Sequence, residues 1–308
     1  MACLKIVVAM AKADGRLDER EQKAIEEAIR DFRIPGVPDV ENLLEEKTDI
    51  SAEAKALRSE DARMLAYQSA CGMAMADGEC SPEEQQLLER LRKELGIPEK
   101  KASLVSRLFQ EAKDTVLPGN IQPVSDPAKR AAEIREDVLK YSILSAILGA
   151  FPVPGLAIAT DLAVVGVQVK MVRDIGQYYG HKVDKAAARS LLGALGLGTG
   201  ARIAVSNLCK LVPVWGSAVG AAASFAATWA LGKIADRYFA GGAKEAPEAL
   251  RDEFKKAEKE GRQAYEQHRK LVEEKREKNK AAITELNEAL KAGRISQEEY
   301  ERRVSELA

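Results

Sequence analysis

The alternation of apolar and polar positions divides the chain into four stretches of different character. Residues 1–115 carry helical periodicity with charged outer faces, and the stretch is internally repeated. Residues 141–240 are rich in Ala, Gly, Leu and Val and thin in charge. Between them, Leu117-Pro118-Gly119-Asn120 and Gln122-Pro123-Val124-Ser125-Asp126-Pro127 place three prolines within a short span and read as a linker. Residues 244–292 are charged and almost free of turn formers. Leu250, Phe254, Ala257, Gly261, Ala264, His268 and Leu271 step by four and three there, as on one face of a long helix. The pattern predicts an all-α protein. Its parts are a duplicated helical-hairpin bundle (1–115), a linker (116–128), an apolar helical block with two proline-turn hairpins (129–242), and a charged helical arm ending in a hairpin (243–308).

The first repeat is gapless. Met10-Ala11-Lys12-Ala13-Asp14-Gly15-Arg16-Leu17-Asp18-Glu19-Arg20-Glu21-Gln22 returns 63 residues later as Met73 to Gln85. One reading is helix-turn-helix geometry. Gly15 takes a left-handed position after a helix. Asp18 or Ser81 caps the next helix, with Glu21 or Glu84 closing a capping box and Pro82 at a first helical position. The other reading is a divalent-cation site, Ca²⁺ or another, shared by Asp14, Asp18, Glu21, Asp77 and Glu84. Met10, Lys12, Met73 and Met75 fall where a Ca²⁺ loop needs oxygen ligands, which weakens that reading.

The doubled A-D-G-x-[LC]-[DS]-x-x-E-Q cadence resembles the tellurite-resistance TerB-like family over about residues 1–115. That resemblance implies an acidic, all-helical domain, associated with metal in some descriptions and without established enzymatic chemistry. It makes Asp14, Asp18, Glu21, Asp77 and Glu84 the positions to follow. Ser81 stands where the first copy has an acid, which breaks a symmetric metal pair.

The apolar block repeats as well. Phe151-Pro152-Val153-Pro154-Gly155 returns 61 residues later as Val212-Pro213-Val214-Trp215-Gly216. Ser142–Thr160 and Leu211–Gly232 carry no charge over 19 and 22 residues, a length at which helices span bilayers. The prolines cut these runs into 141–151, 155–172, 203–211 and 216–237. At 1.5 Å per residue, the 155–172 segment reaches about 27 Å. A dipping hairpin with Lys140, Lys170 and Arg173 at its base is the membrane reading. A charge at bilayer depth costs at least ~2.5–3.5 kcal/mol. Asp161, Arg202 and Lys210 therefore oppose that reading unless they form a buried polar cluster, Asp161 pairing with Arg202 or Lys210. The competing reading is a water-soluble Ala/Gly-rich core. Gly216, Gly220 and Ser224 step by four and suit close helix packing in either setting. Trp215 and Trp229 fit interfacial or core positions. Gly196, Gly198 and Gly200 follow no strand and lack G-K-[ST], so they do not read as a phosphate loop.

The block resembles a bacterial apolar domain that accompanies GTPase domains and is described as membrane-associated. The resemblance rests on the P-V-P-G and P-V-x-G turns and Tyr178-Tyr179-Gly180. It implies contact with membrane lipid and, since the chain has no Walker A motif, a separate GTPase partner. Ala292-Gly293-Arg294-Ile295-Ser296-Gln297-Glu298-Glu299 resembles a short C-terminal helical-hairpin module, which implies a homo-oligomer.

Charge sharpens the division. Residues 1–125 carry a net −6, residues 126–243 a net +5, and residues 244–308 balance. The whole chain sums to −1, which gives no footprint for nucleic acid. The basic excess lies on the apolar block and suits an anionic lipid surface. Four scattered cysteines and two histidines, His181 and His268, supply neither a disulfide framework nor a histidine metal site. Met1–Ala13 is apolar but lacks a basic leader and a cleavage signal, which points to a cytoplasmic start. No nucleophile–base set or nucleotide fingerprint emerges, and no cofactor is implied beyond the possible divalent cation. The sequence thus predicts a non-enzymatic scaffold or adaptor at the cytoplasmic side of the inner membrane, in an envelope or metal-stress response. The alternative is a soluble cytoplasmic protein that binds or senses a divalent metal.

Overall fold

The computed structural model describes residues 1–13, 15, 17, 19–32, 37, 40–75, 80–119, 121–151, 155–210 and 215–307. The side chains of Arg20, Glu21, Cys209 and residues 215–217 lie outside the description. Every regular element is helical among the described residues. The α-helices are α1 (Ala2–Ala11), α2 (Glu19–Asp31), α3 (Val40–Glu45), α4 (Ile50–Ala56), α5 (Glu60–Met75), α6 (Pro82–Glu94) and α7 (Glu99–Asp114). They continue as α8 (Pro127–Ala150), α9 (Ile158–Tyr178), α10 (Lys185–Ala194), α11 (Gly200–Cys209), α12 (Trp215–Ala240), α13 (Arg251–Lys291) and α14 (Gln297–Ser305).

Two compact units form, each from separated stretches of chain. The first comprises Met1–Lys113, Pro152–Leu162 and Gly198–Gly220. Its central helix is α5, which buries Met64, Ala66, Tyr67, Gln68, Ser69, Ala70, Cys71 and Ala74. Helices α1, α6 and α11 pack against it, and α11 also lies along α2. The apolar start of the chain is a core helix: α1 buries Leu4, Ile6, Val7, Val8 and Met10. Gly200 explains the closeness of α11 to α5, because a Cβ there would stand 2.6 Å from the Met73 carbonyl oxygen. The last member of the Gly196/Gly198/Gly200 run is therefore a packing residue.

Each copy of the repeat shows one part of the expected turn chemistry among the described residues. Gly15 has φ +86°. Ser81 accepts from the Glu84 backbone N–H at 3.2 Å, and Glu84 accepts from the Ser81 N–H at 2.8 Å, with Pro82 opening α6. Asp14, Asp18 and Gly78 lie outside the described residues.

The second unit comprises Asp114–Phe151, Ala163–Leu197 and Ala221–Ala308. Helix α8 is longer than the pattern predicts. Its polar lead and the 141–151 segment are one helix, because Asp126 caps the start, Pro127 sits in the first turn, and nothing breaks the helix before Phe151. The core joins Ile143, Ala146, Ile147 and Ala150 of α8 to Ala221 and Phe225 of α12 and to Ala264, Tyr265, Val272 and Ile283 of α13. Trp229 packs on this core and stacks on Phe225, ring centroids 5.9 Å apart.

Helix α13 uses the predicted seam through Ala264 and then shifts by one residue. Val272 is buried and Leu271 is exposed. Gly261 in that seam lets α13 approach α12, since a Cβ there would stand 2.8 Å from the Ala226 carbonyl oxygen. The seam faces its own chain. Helix α14 likewise buries Tyr300, Glu301 and Val304, with Ser296 capping its start. The proline-rich stretch is strapped onto α9: Arg173 donates to the Leu117 carbonyl at 2.9 Å, and the Val124 N–H donates to the Tyr178 carbonyl at 3.0 Å.

Candidate functional site

The first unit concentrates buried polar side chains where α5, the first turn of α9 and α11 meet. Ser206 and Lys210 are four residues apart, so they share one face, Ser206 on α11 and Lys210 at its C-terminal cap. That face looks onto Asp161. Lys210 Nζ donates to Asp161 Oδ2 at 2.9 Å, to Thr160 Oγ1 at 2.9 Å and to the Ala157 carbonyl at 2.8 Å. All three ammonium donors are thereby used. Ser206 Oγ donates to Asp161 Oδ1 at 2.9 Å, and Thr160 Oγ1 donates to the Ala157 carbonyl at 2.8 Å.

Gln68 and Asn207 extend the network. Gln68 Nε2 donates to the Gly155 carbonyl at 2.9 Å, and its Oε1 accepts from the Ile158 N–H at 3.0 Å. The amide thus holds the turn before α9 and satisfies one of the orphan donors at its start. Asn207 Nδ2 donates to the Leu65 carbonyl at 3.2 Å and to Ser69 Oγ at 3.0 Å.

The electrostatics follow from burial. Taking a carboxylate out of water penalises its charged form. Burial pushes the Asp161 carboxyl above its ordinary value, while Lys210 and Ser206 pull it back down.

Asp161 and Lys210 are therefore brought together. Arg202 is not part of that pair. It reaches α2, where Nη1 donates to Asp31 Oδ2 at 2.7 Å and the guanidinium lies 5.4 Å from the centre of the Phe32 ring. Of the acidic residues marked for a divalent cation, Asp14, Asp18, Asp77 and the side chain of Glu21 lie outside the described residues. Glu84 has one carboxylate oxygen committed to the Ser81 N–H. Among the described residues no group of three or more His, Cys, Asp or Glu side chains is placed to hold a metal.

Sequence reasoning passed over Gln68, Thr160, Ser206 and Asn207. The signal was the polar interruption of apolar faces: Gln68-Ser69 inside α5, and Ser206-Asn207 ahead of Lys210. The second unit carries its own polar set. Asp174 Oδ2 accepts from Tyr141 OH at 2.7 Å and from Lys170 Nζ at 2.5 Å. Tyr178 OH donates to Asp137 at 2.9 Å, and Gln168 Nε2 donates to Thr228 Oγ1 at 3.0 Å between α9 and α12. These groups hold charge and lock helices together within apolar surroundings.

Residues 218–240 of α12 form a helix long and apolar enough to cross a membrane by length and composition. Of its most apolar window, 72% is buried within the protein.

The family model described as tellurite resistance protein TerB matches residues 1–107. The chain is 31% identical over 120 residues to an uncharacterized protein of Synechocystis sp., an alignment covering 37% of this chain and 77% of that protein. It is 29% identical over 119 residues to magnetosome membrane protein 22 of Magnetospirillum gryphiswaldense, covering 35% of this chain and 59% of that protein. No solved structure matches the chain.

Proposed function

From the premise that this chain belongs to the TerB family through residues 1–107, we propose that it is a non-enzymatic scaffold or adaptor that associates with the cytoplasmic face of the inner membrane in an envelope or metal-stress response. The observation that carries the reading is the 218–240 stretch of α12, which combines spanning length with apolar composition. A relative named as a magnetosome membrane protein supports the same direction. The net +5 of residues 126–243 adds attraction to anionic lipid. Adaptor work needs rigid helical surfaces more than reactive groups. The buried polar networks of the two units serve such rigidity, because each fixes the relative position of helices whose apolar faces alone would slide. As a scaffold the chain would self-associate. Because α14 buries Tyr300 and Val304 in its own unit, the contact between copies would use other faces.

A second reading is favoured by one observation. The spanning-length helix is mostly buried, and its Thr228 is hydrogen-bonded to Gln168, as in the core of a soluble helical protein.

Fractionation of cells expressing the full chain separates the two readings. Membrane association predicts sedimentation with membranes at physiological salt. Subsequent carbonate washing then tells an inserted chain, which stays in the pellet, from a peripheral one, which is released. Recovery of the whole population in the first supernatant would sink the membrane reading and leave the soluble core.

A further inference from the structure

The second unit contains a cavity of about 350 Å³ between α8 and α13, open on one side. Its floor is aliphatic: Leu139, Ile143, Leu144 and Ile147 of α8 line it, and Leu307 closes one side. Leu307 is held there by its carbonyl, which accepts from Asn279 Nδ2 of α13 at 3.1 Å. Lys140 and Lys275 stand at the cavity from opposite helices, against one acid, Glu136. Lys140 lies 5.7 Å from the centre of the Tyr141 ring and within electrostatic reach of Asp137 on the same helix. The lining thus sets two lysines and one acid over an apolar interior.

We propose that this cavity binds a free single-chain carboxylate amphiphile, a medium-chain fatty acid. The lining selects for this chemistry in three ways. The interior side chains are all aliphatic, which suits a flexible hydrocarbon and offers no stacking surface for a ring. The volume lies at the small end of the ~300–1,000 Å³ range of ligand sites. A site of that size suits one hydrocarbon chain and not two. Two lysines reaching from separate helices over an otherwise greasy mouth match one carboxylate, which each can approach as a point charge. Burying the chain away from water supplies the binding energy, and the lysines fix which end faces out.

Calorimetric titration of the full chain with decanoate and with decanol tests the proposal. Saturable one-to-one binding of decanoate, at least tenfold tighter than decanol, is expected. Exchanging both rim charges (Lys140→Glu with Lys275→Glu) should weaken decanoate tenfold or more and leave decanol unchanged. Filling the half-buried floor position (Leu139→Trp) should abolish both, with circular dichroism confirming that each variant folds. No saturable decanoate binding, equal affinity for acid and alcohol, or full decanoate binding by the Leu139→Trp variant would each overturn it. So would retention by phosphatidylglycerol vesicles that depends on the two lysines while decanoate does not bind, since that assigns the lysines to a membrane surface.

Discussion

Lys210 meets Asp161 at 2.9 Å with side chains only 5% and 6% exposed. The pair joins the C-terminal end of α11 to the first turn of α9, and it does so inside the apolar block where an unpaired charge is least tolerable. Breaking a buried pair by removing one partner typically costs about 3–5 kcal/mol, because the survivor is left uncompensated. Lys210→Met should therefore be destabilised on that scale in urea. Asp161→Leu combined with Lys210→Met should lose less than Lys210→Met alone, since no bare charge remains. A double variant as unstable as the sum of the singles would show that the two side chains do not act as a pair.

Gly200 and Gly193 make opposite predictions for the same substitution. A Cβ on Gly200 meets the Met73 carbonyl oxygen at 2.6 Å and the Gly72 carbonyl oxygen at 3.1 Å, both backbone atoms that cannot swing away. Gly200→Ala should cost about 1–3 kcal/mol, the range for overpacked cores. Gly193, in α10, has nothing within 4 Å of such a Cβ. Gly193→Ala should be neutral to stabilising by up to about 1 kcal/mol, the helix-propensity difference. Thermal melts of the two variants, run side by side, check both signs.

These residues also show how far the sequence reached. The all-helical class was legible because the apolar faces repeat at helical spacing and the turns carry Gly and Ser/Glu caps, as at Gly15 and Ser81–Glu84. The need to neutralise Asp161 was legible from one acid in an apolar run. Its partner was not decided, because Arg202 and Lys210 are both cations on the same short helix or at its end. The choice depends on α2, which presents Asp31 to Arg202 and so leaves Lys210 for Asp161. That each unit is assembled from separated stretches of chain was hidden for a similar reason. Periodicity states that a face is buried and says nothing about which helix buries it. Hence the apolar block read as one body, while its pieces contribute to both units.

Gln68 is a single amide that satisfies two backbone groups, the Gly155 carbonyl and the Ile158 N–H. Its replacement by Leu would leave both without that partner in a dry setting, at about 1–3 kcal/mol for each group. Gln68→Leu should lower the urea midpoint and speed hydrogen exchange at the Ile158 amide. Unchanged exchange at Ile158 would show that the N-terminus of α9 does not depend on Gln68.

Glu301 predicts a pH dependence. It is 2% exposed on α14, accepts from Gln297 Nε2 at 2.9 Å, and sits where a Cβ on Gly166 would stand 2.5 Å from its Oε2. Burial pushes its carboxyl from 4.5 up to about 8, opposed by Gln297, Lys185 and Arg189 and reinforced by Glu298. Between those two values the folded chain keeps a proton that the unfolded chain has lost, so stability falls as pH rises. Below about pH 4.5 both states are protonated at this site, and above about pH 8 both are ionised, so the slope from Glu301 vanishes at either end. Urea unfolding of the wild type between pH 5 and pH 8 should therefore show a decline on the order of a few kcal/mol from this group. Glu301→Gln keeps the shape and removes the titration, and its curve should be flatter by that amount. Parallel curves for the two proteins would show that Glu301 titrates normally and that the slope belongs to other groups.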